Sequence, residues 1–366
     1  MPLAAGRDHA FAEYGLPGEP GTDTFWAAAR TPLSVPGGDG GWRTLFLWRG
    51  SPATVEFEGW SQPVALRRRA GTDCWYAEVP MPARLRVTYQ LRSEEGAFAD
   101  PYNPVGAGGD RSLAAVPDAP AQPHWPALGP DEVLPLPRAR VRWSSDRLGG
   151  RRTVRLHPAG GGGPLVLLLD GDDWLYLHPA VTAFDSAVAA GELPPVTLAF
   201  VPSKDREAEF GCRPDLWEAI RDELLPLVAE SGVPADPDRL VVAGQSLGGL
   251  SALYAALEFP ELVSRVACQS PSFWWAPGAT GLPDPLGGPP GGTIAARLRE
   301  RRPELSALRC AFDLGEHETR MLPHVEPVEA LVAEAGAAVR VSRSPAGHDR
   351  VGWRHALLRD VAWALG

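Results

Sequence analysis

The chain has 366 residues, enough for two domains or one large one, and 44% hydrophobic residues with 13 tryptophans argue for real cores. A net charge of −10 speaks against nucleic acid or an anionic membrane held through bulk charge. Cys74, Cys212, Cys268 and Cys310 show neither CxxC nor metal spacing, which leaves reduced thiols in a soluble, cytoplasmic protein as the expectation. The N-terminus has no basic or long apolar segment of the signal-peptide kind, and no apolar run reaches membrane-spanning length.

In chain order, residues 44–49 and 53–58 read as strands by apolar-polar alternation, joined at Gly50-Ser-Pro52. Further strands are expected at 64–68, 74–79 and 85–92, and no helical period intervenes. Short strands at this spacing predict a small antiparallel sandwich. Trp48, Trp60, Trp75 and Tyr89 would pack it or form a ligand platform. Residues 105–137 are rich in Gly, Pro and Ala and read as a linker, which makes 1–137 one unit and 138–366 another.

From residue 138 the pattern alternates. Strands are expected at 152–157, 164–169, 196–201, 240–243, 265–269, 309–314 and 338–342. Helices are expected at 180–190, 216–231, 247–259, 293–301, 324–335 and 352–365. This predicts an α/β domain with a doubly wound, mostly parallel sheet, whose ligands belong at the carboxyl ends of the strands.

One such end carries Gly244-Gln-Ser-Leu-Gly248, a Gly-x-Ser-x-Gly turn between an apolar strand and a helix. The two glycines would keep the turn tight and present Ser246 as a nucleophile, which needs a base and an orienting acid. His348, in Ser344-Pro-Ala-Gly-His-Asp349, is the best placed base among the eight histidines. Phe312-Asp-Leu-Gly-Glu-His-Glu318 offers the acid, with Glu318 past the Gly315 turn ranked before Asp313 inside the strand. The backbone N–H groups of Leu247 and Asp172, the latter in Leu169-Asp-Gly-Asp-Asp-Trp174, would form the oxyanion hole. His317, His324, His348 and His355 do not have metal-site spacing, and no metal or other cofactor is expected.

With these residues in place the chain resembles the bacterial enterochelin esterases. The N-terminal resemblance rests on Phe46-Leu-Trp-Arg49, Arg69-Ala-Gly-Thr-Asp-Cys-Trp75 and Asp100-Pro-Tyr-Asn-Pro104. The C-terminal one rests on Leu169–Trp174, the Ser246 turn, Gln269-Ser-Pro-Ser-Phe-Trp-Trp275, Gly347-His-Asp349 and Trp353-Arg354. It implies an esterase-D-like α/β-hydrolase domain preceded by an all-β immunoglobulin-like sandwich, acting on the trilactone of a ferric catecholate siderophore such as enterobactin. Iron would belong to that small-molecule substrate, and neither nucleic acid nor membrane would be a partner. The residues set no oligomeric state. The resemblance assigns nucleophile and base to Ser246 and His348. It also suggests Arg206 for substrate binding, and Trp274 and Trp275 for stacking on catechol rings, although Arg206 reads equally well as an i, i+3 ion pair with Glu209, and the two tryptophans as loop packing. Two other readings stay open: a feruloyl or acetyl esterase whose sandwich binds glycan, and a non-catalytic protein on a hydrolase fold.

Overall fold

The computed structural model describes residues 10–60, 62–129, 133–278, 286, 288–301 and 303–366. The chain divides into two compact units, one of residues 1–121, 127–132 and 345–351, the other of 122–126, 133–344 and 352–366.

The first unit holds β1 (Leu33–Pro36), β2 (Trp42–Arg49), β3 (Thr54–Phe57), β4 (Val64–Ala65), β5 (Arg67–Arg68), β6 (Cys74–Met81), β7 (Arg86–Ser93), β8 (Gly96–Phe98), β9 (Gly106–Gly108) and β10 (Arg111–Ala115). They form two sheets, β1-β2-β6-β5 and β4-β3-β7-β10-β9, with β8 paired to β7. Alternation along β2 explains the layering. Phe46 points into the sandwich core with Val55, Phe57, Val79, Val87 and Tyr89. Leu45 and Leu47 point the other way, onto Phe11, Phe25 and Trp26. Those three come from a segment in which the sequence marks no element, since α1 (Ala10–Glu13) and α2 (Asp23–Ala28) are each too short for a readable helical period. Strands β9 and β10 likewise fold within residues read as linker, because three- and five-residue strands of Gly, Ala, Arg, Ser and Leu carry little β signal. Trp48, Trp60 and Trp75 are half-buried against the sandwich core and Tyr89 is buried in it, which is the packing role.

The second unit holds β11 (Ala139–Ser144), β12 (Arg151–Ala159), β13 (Leu165–Leu169), β14 (Val196–Val201), β15 (Val241–Gln245), β16 (Arg265–Gln269), β17 (Arg309–Gly315) and β18 (Ala338–Ser344). Their order in one sheet is β11-β12-β14-β13-β15-β16-β17-β18. The pairs β11–β12 and β12–β14 are antiparallel and the rest parallel. Burial follows the pattern. The two-stranded antiparallel edge alternates exposed and buried residues, whereas β13, β14 and β15 are buried throughout because helices cover both faces. Leu165, Leu167 and Leu169 enter one core, Val166 and Leu168 the other.

Helices α3 (Gly171–Tyr176), α4 (Ala180–Ala189), α5 (Arg206–Phe210), α6 (Pro214–Ala219), α7 (Leu225–Glu230), α8 (Leu247–Glu258), α9 (Gly292–Arg301), α10 (Leu322–Glu334) and α11 (Arg350–Leu365) follow, with a π-helical turn at Ile220–Leu224 between α6 and α7. Strand β11 and the short helices α3 and α5 were not anticipated from the sequence. This is the α/β-hydrolase arrangement, with an all-β sandwich before it. Among the described residues no helix is long and apolar enough to cross a membrane.

Candidate active site

Strand β15 ends at Gln245 and α8 begins at Leu247, so the whole reversal falls on Ser246, at φ 56° and ψ −117°. That is left-handed backbone, adverse for any side chain-bearing residue. Every residue from Leu240 to Leu250 is buried except Ser246, which is half-exposed. Its N–H donates to Gln269 O at 3.0 Å, its carbonyl accepts from Ser272 N at 2.9 Å, and its Oγ lies 3.0 Å from Ser272 Oγ. Strand β16 and the turn after it therefore hold the serine on both sides. Sequence reasoning passed over Ser272, although Gln269-Ser-Pro-Ser272 stands at the carboxyl end of a strand, where chemistry is expected.

The glycines around Ser246 are not equivalent. A Cβ on Gly244 would lie 2.2 Å from Gly248 O, and one on Gly249 3.1 Å from both Gly244 O and Pro271. At Gly248 the nearest atoms would be 3.5 Å away, ordinary contact, so of the two motif glycines only Gly244 is required by close packing. Gly244→Ala should push α8 off β15 and cost about 3 kcal/mol of stability, as overpacking does. Gly248→Ala should unfold near the wild-type denaturant midpoint, and a Gly248 variant as damaged as Gly244→Ala would refute this account of the turn.

Leu247 opens α8, and Asp172 is the second residue of α3. First-turn N–H groups lack intrahelical acceptors, the quality an oxyanion hole needs. The helices leave neighbouring parallel strands, with Leu168 registered on Ala243. Gly171 lets α3 start this close to β14, since a Cβ there would sit 2.4 Å from Phe200 C.

Arg206 does not pair with Glu209. Its Nε and Nη2 donate to the two Asp170 carboxylate oxygens at 2.8 Å each, and Nη2 also donates to Gln245 O at 3.1 Å. It thus ties together the ends of β13 and β15, one residue before Ser246. Glu209 turns instead to buried Arg152 and accepts from the Lys204 and Asp205 amides. Both carboxylate–guanidinium matches involve residues far apart in sequence, which i, i+3 spacing does not reveal.

Beneath the turn runs a buried amide chain. Trp174 Nε1 donates to Gln245 Oε1 at 3.0 Å, Gln245 Nε2 to Gln269 Oε1 at 2.8 Å, and Gln269 Nε2 to Asp360 Oδ2 at 3.3 Å. Burial pushes the Asp360 carboxyl up to about 7, with Arg359 opposing the shift and Asp313 adding to it.

The two acid candidates differ in what holds them. Asp313 Oδ1 accepts from Ser342 Oγ at 2.7 Å, Ser344 Oγ at 2.8 Å and Arg359 Nη2 at 3.3 Å, and burial raises its carboxyl above the usual range. Glu318 is buried past the end of β17, where its Oε1 accepts from Gly315 N at 2.9 Å and from Ser270 Oγ. Ser270 Oγ in turn accepts from Trp353 Nε1 at 2.8 Å.

Trp274 is buried in the core, whereas Trp275 is half-buried with its ring close to Gly211. His317 is exposed, and His324 is buried. His348 is half-buried on the 345–351 segment, which belongs to the sandwich unit. No group of three or more His, Cys, Asp or Glu among the described residues is placed to hold a metal ion.

A model of the family described as Esterase, putative esterase, matches residues 145–364. The iron(III) enterobactin esterase of Dickeya dadantii (strain 3937) is 31% identical, over 94% of this chain and 93% of its own. The enterobactin esterase of Shigella flexneri, solved in the presence of enterobactin, superposes with a TM-score of 0.80 at 28% identity, covering 94% of this chain and 98% of the other. The ferric enterobactin esterase of Salmonella typhimurium also superposes with a TM-score of 0.80 at 28% identity, over 93% and 98%. A serine presented on a strained strand–helix turn of a hydrolase sheet, together with likeness along nearly the whole length, puts this chain in the esterase family, beside the iron(III) enterobactin esterases.

Proposed function

We propose that the protein hydrolyses the trilactone ester bonds of a ferric catecholate siderophore of the enterobactin type, with Ser246 as nucleophile, His348 as general base and Glu318 as the acid that orients it. The observation that carries the reading is Ser246 itself, half-exposed at the one left-handed residue between β15 and α8. The order Ser, acid, His along the chain is that of α/β-hydrolases.

His348 takes the Ser246 proton as Oγ bonds to the ester carbonyl carbon. The oxyanion is met by the N–H groups of Leu247 and Asp172. Collapse re-forms the carbonyl and breaks the bond from its carbon to the ester alkoxy oxygen, and His348 gives its proton to that departing oxygen, which leaves as a hydroxyl. Water then attacks the acyl-enzyme with His348 as base and releases the acid with Ser246 restored. Opening the ring loosens the chelate, so iron takes part as cargo of the substrate and the protein supplies no metal. Arg206 puts a guanidinium beside the nucleophile turn, where an anionic catecholate would meet it. Its Asp170 pair fixes the turn, so substrate attraction is its second role. Half-buried Trp275 suits a catechol ring better than buried Trp274. Four free cysteines suit a reducing compartment, and the cytoplasm is the proposed place of action.

Mass analysis of products tests the reading, with ferric enterobactin and a feruloyl-arabinoxylan offered in parallel. Linear trimer and smaller dihydroxybenzoyl-serine products are expected from the first. Ferulate release with an untouched trilactone would move the substrate to plant-wall esters.

A further inference from the structure

Alternation along β7 sends Val87, Tyr89 and Leu91 into the sandwich core and Arg86, Thr88, Gln90 and Arg92 outward. Arg86 and Gln90 are half-buried and Arg92 is exposed, but Thr88 is only 4% exposed. What covers Thr88 is the 345–351 segment of the same unit. The ladder between β3 and β7 opens at this point. Glu58 N still donates to Thr88 O at 2.9 Å, but the Thr88 N–H donates to Asp349 Oδ2. Thr88 Oγ1 donates to Asp349 Oδ1 at 2.9 Å, and Val351 N donates to the same oxygen at 3.0 Å. A carboxylate 1% exposed is thus held by a backbone amide and a hydroxyl 261 positions away in the chain. Buried carboxylates are costly unless their oxygens are met in this way. Next to it, Gly59 turns at φ +75° against the His348 backbone, where a Cβ would lie 3.1 Å from His348 O and 3.2 Å from its N.

We propose that Thr88 is a positioning residue for the reaction: by holding Asp349 with both amide and hydroxyl, with Gly59 packed on the adjoining backbone, it sets where the His348 imidazole stands. This rests on His348 being the base. Misplacing a catalytic group by about 1 Å can cost on the order of 100-fold in rate.

The test uses the full chain. Thr88→Val keeps the shape and removes the hydroxyl, and kcat should fall about 10- to 100-fold with KM unchanged. Fluorophosphonate labelling of Ser246 should slow in parallel. Thr88→Ser restores the hydroxyl and should restore kcat, a rescue that a packing role would not show. Wild-type kcat in Thr88→Val, or equal losses in the Val and Ser variants, overturns the proposal. Ser246→Ala in the same assay examines the esterase reading alone, so the two can fail separately. Should Thr88→Val not fold, Asp349→Asn carries the same expectation of lowered kcat at constant KM. In the unaltered protein the Thr88 amide should exchange slowly with solvent, and fast exchange would overturn the proposal without any variant.

Discussion

Ser246→Ala should lower turnover of the siderophore by about 10⁶-fold, the scale seen when a catalytic serine is removed from a working triad. The magnitude follows because the variant deletes one oxygen atom and little else. Gln269 O and Ser272 N bind the backbone of residue 246, not its side chain, so both bonds survive. Buried Ser272 loses one hydrogen-bond partner at 3.0 Å, the half-exposed Ser246 hydroxyl, at a cost of about 1 kcal/mol. Thermal melting should therefore stay near wild type while product formation, followed by mass, disappears. Substrate should still bind, which quenching of intrinsic tryptophan fluorescence by ferric enterobactin would register. Retained turnover would end the assignment, and collapse of melting would show that the serine had been structural.

The second large effect separates two carboxylates. Glu318→Gln keeps volume and an acceptor for Ser270 and Gly315 but removes the charge that would steady a protonated imidazole. A fall in kcat of about 10²- to 10⁴-fold is expected, by analogy with neutralised triad acids. Asp313→Asn should behave otherwise. Asp313 is spent on Ser342, Ser344 and Arg359, so an amide there disturbs hydrogen bonds between β17, β18 and α11. The melting temperature should drop while kcat per folded molecule holds. The opposite outcome, with kcat lost in Asp313→Asn and kept in Glu318→Gln, would move the orienting acid into the strand.

The catalytic domain was largely legible because its strands and helices are long and repeat a clear alternation. Continuous apolar runs such as Leu165–Leu169 and Val196–Val201 have one stable place, the middle of a parallel sheet. The parts missed were short or depended on distant partners. Helices α3 and α5 span six and five residues and are set by the strand ends they cap, not by periodicity. Arg206 reads locally as a partner of Glu209, and only the closeness of β13 to β15 shows that Asp170 is its mate. Ser272 and Thr88 look unremarkable as letters, since nothing in a serine after a proline, or a threonine within a strand, tells what the fold will bring against it.

One consequence of the backbone at Ser246 reaches beyond catalysis. A residue held at φ 56° and ψ −117° costs on the order of 1–3 kcal/mol that glycine would not incur. Thermal robustness and chemistry therefore pull this position in opposite directions: Ser246→Gly should relieve that backbone strain while abolishing turnover.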